Sequence, residues 1–398
     1  MHSRINRISL EEAFNLLLQE IRAKPLEAMD VESAVGRVLA ENIVSREDVP
    51  KWPISEVDGY ALRADSRIAT YTIVGKSGPG ERFSGPLTDA QCIRILTGSY
   101  LPEGTDTVVP QEDVVIDGTS IAIKGEIPPA GSLMKSGYEY KKGELIAGQG
   151  SRITPSMAAF LMYLRIDRVL IYPTISVGII SVGSELVTIG KWIDGKVVNS
   201  NYVSLMGSAR SMGLNPKNFG IVRDDVEEIS EKIRTALRKC DIVVMSGGSS
   251  VGDTDMVFEA LHKIKSKYIF HGLKLKPGRT AGVAIMNGKP IVSVSGNIQA
   301  ATIELIIVVG EIARLLSGGG LTVKRMTCMI DRDVELNTKP GYKNILWLKL
   351  YQIGNQFFGS PLMARSPMRS IVMRADGFSI IESPNLRRGE NIETILLN

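Results

Sequence analysis

Histidine and cysteine are scarce in this chain, with three of each among 398 residues. His2, His262 and His271 are dispersed, which excludes multi-histidine metal centres and most histidine-based nucleophile triads. Cys92, Cys240 and Cys328 are widely spaced and odd in number. That rules out a Cys-x-x-Cys zinc set and a complete disulfide framework, and points to a reducing, cytoplasmic setting. Long apolar runs are missing as well. Residues 157–164 stop at Arg165, and residues 305–309 are bracketed by Glu304 and Glu311, well short of the roughly 18 residues of a membrane span. The N-terminus opens on a charged helical pattern instead of a signal peptide, so no membrane association is expected. Forty-seven Lys and Arg against 43 Asp and Glu leave a net charge of +4, too weak an excess to imply a nucleic-acid partner. Chemistry must therefore fall to carboxylates, cations, hydroxyls and backbone amides.

What is present is an ordinary globular mixture, 44% apolar and 23% charged, long enough for two to four domains at about 100 to 200 residues each. Ser9 and Glu12 form a capping-box pattern before a helix carrying Phe14, Leu17 and Ile21, and residues 30–40 repeat an apolar pattern at helical spacing. From about 45 to 150 short β-branched runs alternate with Gly-Pro turns, the texture of a β-rich lobe inserted into a helical and mixed platform spanning 1–170. Residues 155–169 read as helix. From 171 to 317 strands and helices alternate: strands near 175–180, 219–222, 241–245 and 291–294, helices from Asn201, Asp225, Asp255 and Ile298. This predicts an α/β domain with a mostly parallel sheet, whose ligands bind beyond the carboxyl ends of its strands. Residues 321–398 return to short β runs and predict a small separate β domain.

Four turns fall at that predicted sheet edge. Ser246-Gly247-Gly248-Ser249-Ser250-Val251-Gly252-Asp253-Thr254-Asp255 joins a strand to a helix; its glycines and serines suit a phosphate at a helix start, or form a glycine-rich turn with no ligand. It is not a Walker loop. Asp253 and Asp255 either cap the helix or hold a divalent cation, with capping suiting Asp253 best. The other turns are Gly183-Ser184-Glu185, the basic cluster Lys274, Lys276, Gly278 and Arg279, and Ser295-Gly296-Asn297. Any one of them alone reads as an ordinary turn; their shared position is what points to a site. Asp58 and Thr97 lie in turn-rich segments of the N-terminal half, read from the residues alone as solvated turns.

Asp58-Gly59-Tyr60-Ala61, Thr97-Gly98, Gly183-x-Glu185-Leu186, Asn199-x-Asn201, Gly220 to Asp225, Ser246-Gly247-Gly248-x-Ser250-Val251-Gly252-Asp253-x-Asp255, Lys276-Pro277-Gly278 and Gly296-Asn297 occur in the order of the MoeA family, which this chain resembles over nearly its whole length. The C-terminal part matches chiefly at Ser366 and Ala375-Asp376-Gly377. The resemblance implies a multidomain α/β fold with a central domain like MogA, an inserted β-rich lobe and a C-terminal β-barrel, assembled as a homodimer in which the second subunit brings Asp58 and Thr97 to the cleft. It implies insertion of molybdate or tungstate into adenylylated molybdopterin, with release of AMP and with Mg2+ or another divalent cation. The upstream partner would be a molybdopterin adenylyltransferase of the MogA/MoaB kind. On these positions Asp58, Thr97, Glu185, Asp224 and Asp255 would be catalytic, with Glu185, Asp224 and Asp255 also holding the metal. Ser246, Gly247, Gly248, Ser250, Gly252, Asp253, Lys276, Gly278, Arg279, Ser295, Gly296, Asn297 and Ser366 would bind the pterin, its phosphates or the oxyanion.

The chain departs from the family pattern in its anion loops. Lys276-Pro277-Gly278-Arg279-Thr280 stands where Lys-Pro-Gly-Lys-Pro is usual, and Ser295-Gly296-Asn297-Ile298 where Pro-Gly-Asn-Pro is usual. Trp347 occupies the place of a usual arginine. Lost prolines relax rigid loops and Ser295 adds a donor. These departures motivate an alternative, a molybdopterin-binding carrier or assembly partner without insertase activity. A scaffolding role, as in the related gephyrin, has no specific support in this sequence.

Overall fold

A six-stranded sheet in residues 172–397 sets the position of everything that follows. In the computed structural model, which describes residues 7–126, 131–248, 256–321, 323–337, 339–365 and 368–397, its strands run in the order Asn215–Val222, Ser176–Val182, Ile242–Ser246, Lys289–Val294, Gly282–Met286 and Lys267–His271. The first four are parallel and the last two antiparallel to their neighbours. The parallel part matches the expectation from alternating strands and helices. The hairpin that completes the sheet, Lys267–His271 with Gly282–Met286, was not anticipated, because the Lys276 to Thr280 segment between its strands reads as a basic turn.

The strands form where β-branched residues cluster, and Val177, Ile179, Ile242, Val243, Val244, Ile291 and Val292 are fully buried. Helices cover both faces. Val226–Lys239 begins on the Asp225 side chain, which accepts from the Glu227 and Glu228 N–H groups, and it turns Ile229, Ile233, Ala236 and Leu237 to the sheet. Each buried isoleucine or leucine contributes about 1.5–3 kcal/mol. The capped helix predicted from Ser9 is present at Leu10–Glu20, and its Leu10, Ala13 and Leu17 share a core with Ile179, Val244 and Val292. At the opposite end of the strands Asp241 ties Ser176 and Lys24 together: its Oδ2 accepts the Ser176 hydroxyl at 2.6 Å and N–H at 2.8 Å, and its Oδ1 meets Lys24 Nζ at 3.0 Å. Burial pushes this carboxyl upward, but the Ser176 and Lys24 contacts outweigh it and hold the group below the usual aspartate value.

The remainder of this unit is the expected β-barrel. Lys343–Ile353, Gln356–Leu362, Arg325–Ile330, Asn391–Leu396 and Gly377–Ile381 pair in sequence around the ring, and Gly377–Ile381 closes on Lys343–Ile353. A two-residue Gly354-Asn355 loop makes its long hairpin, with Gly354 at φ +57° as a primed turn requires. Trp347 points out of this barrel into the core shared with the six-stranded sheet and its helices, 1% exposed and edge-on to Phe378 at 5.7 Å, so it serves packing.

Residues 28–171 form a second compact unit. Its main sheet runs Thr107–Pro110, Gly59–Leu62, Gln91–Ile95, Thr70–Ser77, Ser120–Ile123 and Val114–Asp117, a β-rich lobe. Two expectations fail here. Residues 31–36 make turns instead of a helix, with Gly36 at φ +83°, and the helix from Pro155 ends at Tyr163, after which Arg165 at φ +60° redirects the chain into the strand Arg168–Ile171. Among the described residues no helix is long and apolar enough to cross a membrane.

All three cysteines are buried free thiols, and burial pushes the Cys92 thiol up to about 12. Only the thiolate alkylates readily, so native protein treated with iodoacetamide at mildly alkaline pH should stay unlabelled, while protein in denaturant takes three labels. Rapid labelling of the native chain would contradict this burial.

Candidate functional site at the carboxyl edge of the sheet

The chain leaves Ser176–Val182 toward one edge of the sheet and returns to Ile242–Ser246 on the other side, so these neighbouring strands flank a topological switch point, where α/β sheets open a crevice beyond their carboxyl ends. Small residues are required there. Gly247 has φ +92°, and a Cβ on it would lie 2.3 Å from the Val182 carbonyl oxygen. Gly248, at φ +69°, would meet the Val182 and Val257 side chains at 2.7 and 2.8 Å. The chain thus passes close over the end of its neighbour, and backbone stands where side chains would otherwise crowd the edge.

The Ser295-Gly296-Asn297 turn joins them. Ser246 Oγ donates to the Ser295 carbonyl at 3.4 Å, Gly247 N–H to the Val294 carbonyl at 3.2 Å, and Asn201 Nδ2 to the Gly296 carbonyl at 2.7 Å. Asn199, buried, donates to Ser181 Oγ at 2.9 Å. Asn297 caps the helix Ile298–Glu304, its side chain accepting from Gln299 and Ala300 N–H. The structure therefore brings Ser246, Gly247, Gly248, Ser295, Gly296 and Asn297 together at one edge. Ser246 and Asn297 also carry structural hydrogen bonds there.

The carboxylates sit at the Gly183-Ser184-Glu185 turn. Asp224 Oδ2 accepts the Ser184 N–H at 2.7 Å, and Ser184 Oγ accepts the Asp224 N–H at 3.0 Å, a reciprocal pair that fixes Asp224 against the residue preceding Glu185. Both acids are exposed. Lys196, a cation the sequence reading passed over, donates to the Ser184 carbonyl at 2.9 Å; its signal was a Gly-Lys pair closing the loop that begins at Glu185. Lys276 and Arg279 are exposed on the loop between Leu275–Lys276 and Gly282–Met286, and the Lys276 ammonium reaches the Asn337 carbonyl at 3.4 Å. Among the described residues no three His, Cys, Asp or Glu side chains cluster as a metal site. Ser250, Gly252, Asp253, Asp255 and Ser366 lie outside the described residues. Glu185 and Asp224 supply hard oxygen donors at one edge, a fit for Mg2+, which is commonly held by one or two carboxylates plus substrate phosphate.

Glu304, in the sequence only a charge at the border of an apolar run, joins the site from inside. It is fully buried, and burial pushes its carboxyl up to about 7 against hydrogen bonds from Ser295, Thr280 and Ala281. A lone acid in an otherwise uncharged helix was the available signal.

In the second unit Asp58 precedes Gly59, whose missing Cβ would fall 2.1 Å from the Val109 carbonyl oxygen. This close strand approach fixes the backbone beside Asp58. Asp58 Oδ1 accepts the Thr97 N–H at 2.8 Å and its hydroxyl at 2.9 Å, and these bonds, the N–H first, hold the carboxyl below the usual aspartate value. The two residues singled out separately in the sequence form one hydrogen-bonded pair.

Fold and edge together define an α/β protein with a glycine-rich, two-signed site suited to an anionic ligand. A family model described as the MoeA N-terminal region (domain I and II) matches residues 8–164, and one described as a probable molybdopterin binding domain matches residues 178–335. The chain is 29% identical to the molybdopterin molybdenumtransferase of Staphylococcus aureus (strain COL) over 303 residues, 74% of this chain and 72% of that protein. It is 28% identical over 316 residues to the molybdopterin molybdenumtransferase of Haemophilus influenzae, covering 78% of each. The crystal structure of the molybdopterin biosynthesis moeA protein from Pyrococcus horikosii superposes with a TM-score of 0.82 at 25% identity, over 99% of this chain and 100% of that one. The chain belongs to the MoeA family, enzymes of molybdenum cofactor biosynthesis, as a divergent member.

Replacing Thr97 by Val removes one of the two donors that favour ionised Asp58. The Asp58 pKa, followed by carboxyl-carbon NMR, should therefore rise toward the ordinary aspartate value. An unchanged titration would mean that the Thr97 hydroxyl does not donate to this carboxylate.

Proposed function

We propose that this protein acts as a molybdopterin molybdenumtransferase, inserting molybdate or tungstate into adenylylated molybdopterin with release of AMP, as a cytoplasmic homodimer supplied by an upstream adenylyltransferase of the MogA/MoaB kind. The observation that carries this reading is the edge where Gly247, Gly248, Ser295 and Gly296 gather beside the carboxylate-bearing Glu185 and Asp224 turns. A polyanionic substrate requires donors without bulk, and glycine turns at the ends of parallel strands provide backbone N–H groups at close range. Lys276 and Arg279 add positive charge for phosphate and oxyanion, with Arg279 offering a planar fork to tetrahedral oxygens.

Glu185 and Asp224, with Asp255, are the residues proposed to hold Mg2+. When bound, the ion neutralises charge at the phosphoanhydride. The protein's own part is to position the pterin and phosphates on the glycine turns and to present donors to the oxyanion through Ser295, Ser366, Lys274, Lys276 and Arg279. Asp58, kept ionised by Thr97, is proposed as a further acid of the reaction. The carrier reading shares the pterin site and differs in lacking turnover.

Purified protein incubated with adenylylated molybdopterin, Mg2+ and either oxyanion should release AMP and yield cofactor. Asp58→Asn, which removes charge but little volume, should fold normally and lose roughly tenfold or more of the rate. Tight molybdopterin binding with no AMP release from either oxyanion would replace the insertase reading with the carrier.

A further inference from the structure

Glu304 is the only acid in the helix Ile298–Glu304, and it has no exposed surface. Its Oε2 accepts the Ser295 N–H at 2.6 Å and its Oε1 accepts the Ser295 hydroxyl at 2.9 Å. The N–H groups of Thr280 and Ala281 hydrogen-bond to the same carboxyl, and Thr280 Oγ1 lies 2.7 Å from Ser295 Oγ. One buried group thus holds two loops that are 15 residues apart at Thr280 and Ser295, both residues remaining partly exposed. The helix changes to π geometry at Leu305–Val309, immediately after this residue. Such insertions occur often at functional sites. Burying a carboxyl is costly, and here hydrogen bonds from both loops offset the cost. A proline at position 295 would lack the N–H that Glu304 accepts, so this contact depends on Ser295 standing there.

We propose that Glu304 is a positioning residue that clamps the Lys276 to Ala281 loop to the Ser295-Gly296-Asn297 turn and sets the direction in which the Ser295 and Thr280 hydroxyls point toward an oxyanion. The inference rests on reading this edge as an oxyanion site. A serine hydroxyl has one proton. When Ser295 donates it to an ionised Glu304, Thr280 donates inward to Ser295 and turns only lone pairs outward. When Glu304 carries a proton, it donates to Ser295, Ser295 to Thr280, and the Thr280 proton faces outward. An oxyanion only accepts, so it is held by the outward-donating arrangement. The groups hydrogen-bonded to the carboxyl are hydroxyls and peptide N–H. The charged residues on the loop and on the elements packed against this helix are Lys276, Arg279, Arg210, Lys289 and Arg374, all basic.

The test compares wild type with Glu304→Gln and Ser295→Ala in the AMP-release assay with molybdate as the varied oxyanion, together with amide hydrogen exchange. Above neutral pH Glu304→Gln, whose amide donates to Ser295 as the protonated acid does, should lower the molybdate KM about tenfold below wild type, equivalent to about 1.4 kcal/mol, with the adenylylated-molybdopterin KM moving less than about twofold. It should also speed exchange at Thr280, Ala281 and Ser295, and it should flatten the rise of the wild-type molybdate KM across neutral pH. Ser295→Ala, which keeps the N–H, should raise the molybdate KM while leaving those amides protected, and it decides the hydroxyl role if Glu304→Gln fails to fold. Unchanged exchange in Glu304→Gln overturns the clamp whether or not the wild type turns over. A higher molybdate KM in Glu304→Gln than in wild type above neutral pH, equal shifts in both KM values, or a molybdate KM unaffected in Ser295→Ala, overturn the hydroxyl role. Absence of turnover in wild type would count against the insertase reading alone, since the exchange result stands independently of it.

Discussion

Backbone meets backbone at the end of the parallel strands, and the site depends on that approach. Gly247 passes so close to the Val182 carbonyl that a single methyl would fall 2.3 Å from its oxygen. Any side chain at this point would push the turn away from its neighbour and break the Gly247 N–H contact to Val294, which joins the Ser246-Gly247-Gly248 turn to the Ser295-Gly296-Asn297 turn. The same economy of bulk recurs at Gly59, where Asp58 is set by a strand approach no Cβ would permit. A substrate rich in phosphate oxygens requires such surfaces because hydrogen-bond donors must reach it at about 3 Å without a side chain between.

The charges follow the same plan. Acids and bases alternate around the edge: Glu185 and Asp224 on one side, Lys196 pinned to the Ser184 carbonyl, Lys276 and Arg279 on the loop beyond. The small net charge of +4 is therefore the sum of local groups of both signs. Glu304 stands apart from these, as a buried acid whose contacts are peptide N–H groups and hydroxyls of the protein itself. It stiffens loops in which proline is missing, substituting hydrogen bonds for ring constraint.

Much of this was legible in the residues. Parallel strands appear as continuous β-branched runs, and capped helices as Ser9 with Glu12 or Asp225 with Glu228, because both signals are local and strong. The helix expected over 30–40 failed because an apolar spacing of one turn does not outlast Gly36, and the hairpin on either side of Lys276 was hidden by its basic turn. Glu304 was invisible for a different reason. Its importance lies in contacts with Thr280 and Ser295, 24 and nine residues away, that no local pattern records. Trp347, which the family resemblance set against an arginine, is a buried residue between the barrel and the α/β core. The order of motifs along the chain carried the family assignment more firmly than any single motif, since each turn alone has an ordinary structural explanation.

Substrate binding at the sheet edge is what every proposed role of these residues requires. A crystal structure of the protein with molybdopterin, alone and then with molybdate or tungstate soaked in separately, tests this most directly. The pterin and its phosphate should lie over the Gly247-Gly248 and Gly183 turns, with the oxyanion against Thr280, Ser295 and Arg279. Ordered ligand bound elsewhere, with this edge empty at saturating concentration, would contradict the account.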